Sequence, residues 1–194
     1  MYPRNALPNL TAVSLPHILF AVTMGLLLCF PSTAFAHPMG NFSINHFSAL
    51  EVHPGLIRLS YVIDMAEVPT FQEIQEYGLT PQPDHPSATA YRERKVQELQ
   101  KGLLLQVGAQ TLPLTLRSST LTFPPGAGNL PTLRISAVYD APLEGTSGQI
   151  LYEDRNYPQR TGWKEIIATA HAGATLFASS VPATSHSNRL TAYT

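Results

Sequence analysis

Residues 42–65, FSINHFSALEVHPGLIRLSYVIDM, decide the fold. From Phe42 to Val52 the chain alternates. Phe42, Ile44, His46, Ser48, Leu50 and Val52 fall on one side and Ser43, Asn45, Ala49 and Glu51 on the other, the period of a half-buried strand. His53-Pro54-Gly55 carries turn chemistry, and Ile57, Leu59, Tyr61, Ile63 and Met65 then repeat the alternation. The two runs predict a hairpin. A one-residue slip would turn every side chain over, so apolar face against apolar face sets the register: Leu50 opposite Leu59, His46 opposite Ile63, Ile44 opposite Met65. The remaining side, expected to face solvent, then places Glu51 against Arg58 and Asn45 against Asp64, an opposite-charge pairing that the apolar match did not use.

Towards the C-terminus, Pro69 opens a short helix over Thr70 to Tyr77, closed by Gly78. Thr80 to Ser87 (TPQPDHPS) reads as a Pro-rich loop, and Tyr91 to Lys101 as a solvated helix with Val96, Leu99 and Leu103 at helical spacing. Short strands follow at Leu103–Val107, Thr111–Leu116, Thr120–Phe123, Thr132–Tyr139, Gln149–Glu153, Lys164–Ala170 and Thr175–Ser179, with hairpin connections at 108–110 and 171–174. The expected fold is mainly β: an immunoglobulin-like β-sandwich over 37–180, with a helical insertion over about 70–101 after the first hairpin. The polar stretch 181–194 reads as a tail or linker.

Towards the N-terminus, Arg4, the apolar run Ile18 to Phe30 and Ala34-Phe35-Ala36 stand in the order of a secretory signal peptide over 1–36. The run is short for a bilayer span, which needs ~20 apolar residues. An exported, periplasmic or otherwise extracytoplasmic protein beginning at His37 is expected. Leu28 before Cys29 argues against a lipid anchor. Without Cys29 the remaining chain has no cysteine, which excludes a disulfide framework, a thiolate metal site and a Cys nucleophile. A formal net charge of -1 for the whole chain offers no basic face for nucleic acid.

The stretch His37 to Glu73, with HPMGNFSINH and DMAEVPTFQE at its ends, resembles the extracytoplasmic domain that precedes the permease in bacterial nickel/cobalt transporters of the NicO type, the high-affinity nickel transporters. Gly162-Trp163-Lys164-Glu165-Ile166 and Ser179-Ser180-Val181-Pro182-Ala183 are similar to that domain's closing segments. The resemblance implies a role in divalent-metal transport beside a membrane permease, whose helices this sequence lacks.

Signal cleavage would leave His37 with a free amine, which with the ring Nδ1 can chelate one cation in a six-membered ring. Pro38 has no amide proton to add a third nitrogen. These donors suit Ni, Co, Cu or Zn, and further ligands are required. His46 is the nearest candidate, followed by Asp64, Glu51 and His53. The hairpin register sets His46 and Asp64 on opposite faces, so one site holding His37, His46 and Asp64 needs a bulge. The competing expectations are a hydrogen-bonded core histidine at His46, a turn carboxylate at Asp64, and surface roles for His85, His171 and His186. Glu153-Asp154-Arg155-Asn156 reads as a solvated loop. No nucleophile elbow, zinc-protease helix motif or phosphate loop is present, and no enzyme is expected. Two further readings stand: an interaction module docking on a membrane partner without metal, and a copper enzyme with an N-terminal histidine brace.

Overall fold

The computed structural model describes residues 40–145, 147–171 and 173–192. The segment 1–36, expected to be a signal peptide, and His37 lie outside them. Among the described residues no helix is long and apolar enough to cross a membrane.

The hairpin forms as its alternation requires. Strands β1 (Ile44–His53) and β2 (Leu56–Met65) pair antiparallel with Leu50 on Leu59, His46 on Ile63, Ile44 on Met65, Glu51 on Arg58 and Asn45 on Asp64. Helices α1 (Glu67–Tyr77) and α2 (Pro86–Lys101) follow. The chain continues through β3 (Leu103–Val107), β4 (Gln110–Thr111), β5 (Thr115–Thr122), β6 (Leu133–Pro142), β7 (Ile150–Asp154) and β8 (Lys164–Ala170). One sheet runs β5-β6-β2-β1-β8 and the other β4-β3-β7, a mainly-β, sandwich-like fold. β8 lies parallel to β1, and no strand follows it among the described residues, so the hairpin expected at 171–174 does not form.

The inner face of the larger sheet carries Leu50, Ile57, Leu59, Tyr61, Ile63, Met65, Leu133, Ile135 and Tyr139 into one core shared with Tyr91, Val96 and Leu99 of α2 and Leu105 of β3. The Tyr139 hydroxyl donates to the Val96 carbonyl at 2.8 Å, which seats α2 over β6. The smaller sheet closes over β1 through Ser48 and Tyr152, whose hydroxyls meet at 2.8 Å.

Several local expectations are corrected. α1 starts at Glu67, three residues before the expected Thr70, because Pro69 fits a first helical turn and the Thr70 hydroxyl ties back to the Met65 carbonyl at 3.1 Å. α2 starts at Pro86 with His85 as its cap, its Nδ1 accepting from the Ser87 amide at 3.2 Å, so His85 is a helix-starting residue. Pro113 stops β4 after Thr111, and the two strands expected at 111–116 and 120–123 become β4 and one longer edge strand with a bulge between Leu116 and Ser118. Thr175–Ser179 forms no strand; its Ala178 sits at φ 50°, outside any extended conformation.

The largest correction concerns the face expected to be wet. Phe47, Ala49 and Val62 are buried there beneath Leu190, so residues 181–192 fold back as a strap. Glu165 accepts from the His186 amide at 2.6 Å and from the Ser187 amide and hydroxyl. Arg134 donates to the Leu190 carbonyl at 3.1 Å and to that of Arg189. Asn188, Arg189 and Leu190 sit at φ 45°, 59° and 64°, a left-handed turn that L-residues adopt at a cost of about 1–2 kcal/mol each. Burying the leucine side chain returns about 1.5–3 kcal/mol, and the hydrogen bonds supply the rest.

Candidate functional site

β1 points His46 inward, onto the core side, and there it meets Asp154 at the end of β7. The His46 Nδ1 to Asp154 Oδ2 distance is 2.5 Å, and the two side chains are 2% and 5% exposed. The Tyr61 hydroxyl donates to the same oxygen at 3.0 Å. The Asn156 amide donates to Asp154 Oδ1 at 2.9 Å, and its side-chain nitrogen reaches the Tyr61 hydroxyl at 3.2 Å and the Leu99 carbonyl at 2.9 Å. A side chain on Gly102 would occupy the space of the Asn156 carboxamide, so the turn after α2 needs glycine for this network to close.

Burial pushes the Asp154 carboxyl up, but the hydrogen bond and charge of His46, with the Asn156 amide and the Tyr61 hydroxyl, outweigh it and hold the group below the usual carboxylate range. An ionised carboxylate only accepts, so Nδ1 of His46 is the donor of the short bond. When the ring carries a single proton, Nε2 therefore presents a lone pair. That atom is buried and has no hydrogen-bond partner among the described residues. Burial raises the Tyr61 hydroxyl far above the ordinary tyrosine value, with the Asp154 charge adding to it, so Tyr61 remains a donor.

Tyr157 flanks the histidine, its ring edge-on at 5.9 Å, and holds φ at 45°, a conformation rare for a bulky residue. Burial pushes its hydroxyl up to about 12 against the opposing pull of Lys95. Lys95, itself buried, is 3.0 Å from Glu73, which also accepts from the Tyr91 hydroxyl at 2.8 Å. A polar network thus joins β1, β2, α2 and the turn after β7, and the ring of Tyr157, packed edge-on against His46, stands between it and the Lys95–Glu73 pair of α2 and α1.

Of the sequence-derived candidates, His46 stands at the centre of this site. Asp64 lies on the opposite face of the sheet with Arg134 Nη1 at 3.8 Å, and the β1–β2 register runs without a bulge, so the structure does not bring the two together. Glu51 and His53 sit near the other end of β1. Asp154, expected in a solvated loop, is instead the buried partner of His46. The polar cluster at 153–156 hid it, because composition alone cannot say which of two charged neighbours turns inward. Among the described residues no three His, Cys, Asp or Glu side chains are gathered as a ready metal site. No protein-family model, curated protein or solved structure matches the chain.

Proposed function

We propose that this chain is an extracytoplasmic domain that binds a divalent transition metal for a nickel/cobalt-type membrane permease, with Nε2 of His46 as the anchoring ligand. One observation carries the reading: a buried imidazole whose Nδ1 is held by Asp154 and whose Nε2 has no partner among the described residues. Metal-binding histidines are oriented in this way, the carboxylate choosing the tautomer and raising the basicity of the free nitrogen. Burying an imidazole nitrogen without a partner costs about 1–3 kcal/mol, a cost that metal ligation removes. The donor type suits Ni, Co, Cu or Zn. His37, through ring and freed amine, is the proposed second contributor; it lies outside the described residues and enters through its chemistry alone.

The test is calorimetric titration with Ni, Co, Cu and Zn on the chain processed to His37. Micromolar binding, lost in His46→Ala and weakened by about 10–100-fold in Asp154→Asn, supports the proposal. Binding unaffected by His46→Ala removes it. A metal-free interaction module is the second reading, supported by Phe42 and Phe71, 68% and 61% exposed, on segments joined where the Val68 amide meets the Asn41 carbonyl at 2.9 Å. It predicts no metal binding and co-purification with a permease.

A further inference from the structure

We infer that one end of the larger sheet rests on a lipid bilayer, through Phe42, Phe71, Leu130 and Trp163. The strand register places four segments at that end. β1 begins there, with Ile44 beside Met65 at the close of β2 and Met65 beside Leu133 at the start of β6. Thr122, the last residue of β5, pairs with Arg134, and Lys164, which opens β8, lies beside His46. Segments 40–43, 66–72, 123–132 and 157–163 therefore meet at one end of the sheet. Hydrogen bonds join them. The Val68 amide donates to the Asn41 carbonyl at 2.9 Å, the Ala127 amide to Glu67 Oε1 at 2.6 Å, and Arg160 Nη2 to Gln72 Oε1 at 3.1 Å.

Each of the four segments exposes one large apolar side chain. Leu130 and Trp163 are 57% and 45% exposed, and Phe42 and Phe71 are more open still. One such residue on a surface is ordinary, but four on adjoining segments mark a contact surface. These segments carry two charged residues, Glu67 and Arg160. Glu67 is buried and Arg160 is exposed. The end thus offers aromatic and leucine side chains with a cation among them, and its own carboxylate is turned inward.

Two observations select a bilayer over a protein partner. The first is that the exposed side chains sit on backbone already satisfied within the fold. The Trp163 amide donates to Asn45 Oδ1 at 2.8 Å and its carbonyl accepts from the His46 amide at 2.7 Å. The Leu130 carbonyl accepts from the Gly126 amide at 2.7 Å and its amide donates to the Ala127 carbonyl at 3.3 Å. These side chains can enter lipid without carrying unpaired backbone groups with them, and tryptophan favours the membrane interface. The second is the path of the chain. It enters the described fold at Gly40, on this same end, and the apolar run Ile18 to Phe30, expected to meet the bilayer during export, stands shortly upstream in the sequence. The inference goes beyond both readings of function above, since it needs neither metal nor permease.

The test uses protein-free vesicles of phosphatidylglycerol and phosphatidylethanolamine in equal parts, with chelator present, on the whole chain and on the form beginning at His37. The sequence has one tryptophan, Trp163, so its fluorescence reports this end alone. In both forms the emission should shift to the blue and be quenched by brominated lipid. In the His37 form, Phe42→Ser/Phe71→Ser should weaken vesicle binding by at least about tenfold. Both side chains are exposed, and unchanged circular dichroism confirms the fold. Arg160→Gln should weaken binding to these vesicles by about fivefold and leave binding to phosphatidylcholine vesicles unchanged. An unshifted, unquenched Trp163 in the His37 form overturns the inference and leaves the patch to a protein partner. Equal binding by parent and double variant also overturns it. The calorimetric metal titration contains no lipid, so failure of the His46 site and failure of this contact read out separately.

Discussion

Asp154→Ala tests whether the buried pair organises the interior. The carboxylate accepts from three donors: His46 Nδ1 at 2.5 Å, the Tyr61 hydroxyl at 3.0 Å and the Asn156 amide at 2.9 Å. Stranding each would cost about 1–3 kcal/mol if they acted independently. They share one cavity, so the simple sum overshoots; removing one member of a buried pair costs about 3–5 kcal/mol, and that is the expected loss. For a chain of this size each kcal/mol moves the melting temperature by about 2–4 °C, which gives a fall of about 6–20 °C. Asp154→Asn keeps one acceptor oxygen and should lose about 1–3 kcal/mol.

The assay is urea unfolding at neutral pH with chelator present, extended to a double-mutant cycle with His46→Ala, for which a coupling of about 0.5–3 kcal/mol is expected. The acid limb provides a second reading. Because the folded carboxyl titrates below its unfolded value of about 3.9, its stabilisation is complete above that value and disappears as pH falls through the lower folded one. Parent protein should lose this increment on acidification, whereas Asp154→Ala should not. A loss below about 0.5 kcal/mol in Asp154→Ala, the range of an ordinary surface substitution, would refute the reasoning.

Three further outcomes are expected. Leu190→Ala should cost about 2–3 kcal/mol, at the low end for a buried leucine because a strap can resettle, and hydrogen exchange should rise at Phe47 and Val62 beneath it. Gly162→Ala should destabilise by about 3 kcal/mol or more in a thermal melt, since its Cβ would overlap the Ile44 carbonyl oxygen and force β8 away from β1. Burial alone would raise the Glu165 carboxyl, but the Ser187 hydroxyl and the His186 amide lead the groups that hold it low. The His186 and Ser187 amide resonances should therefore shift with an apparent pKa below the usual ~4.3, and the strap should loosen as pH falls through that folded value.

The hairpin was legible because its information is local: two-residue periodicity, a turn and an apolar match that admits one register. The strap was not, because it binds through backbone groups. Arg134 holds two carbonyls and Glu165 takes two amides, while Leu190 alone supplies buried apolar surface, so no periodic signal marks residues 181–192. The site falls between these cases. His46 and Ser48 are consecutive inward positions on an otherwise apolar strand face, and buried polar groups require partners. Those partners are Asp154 and Tyr152, also two residues apart, on a strand facing β1 from the other sheet. The match runs 46 to 154 and 48 to 152, antiparallel, as a polar seam between sheets. Two polar residues spaced by two on an apolar face therefore call for a complementary pair at the same spacing elsewhere, and Tyr152-Glu153-Asp154 supplies one. Sheet-to-sheet packing, which decides between that pair and its neighbours, has no register to read from sequence. For the same reason the His46 site should respond to substitutions that shift one sheet against the other before it responds to changes along either strand.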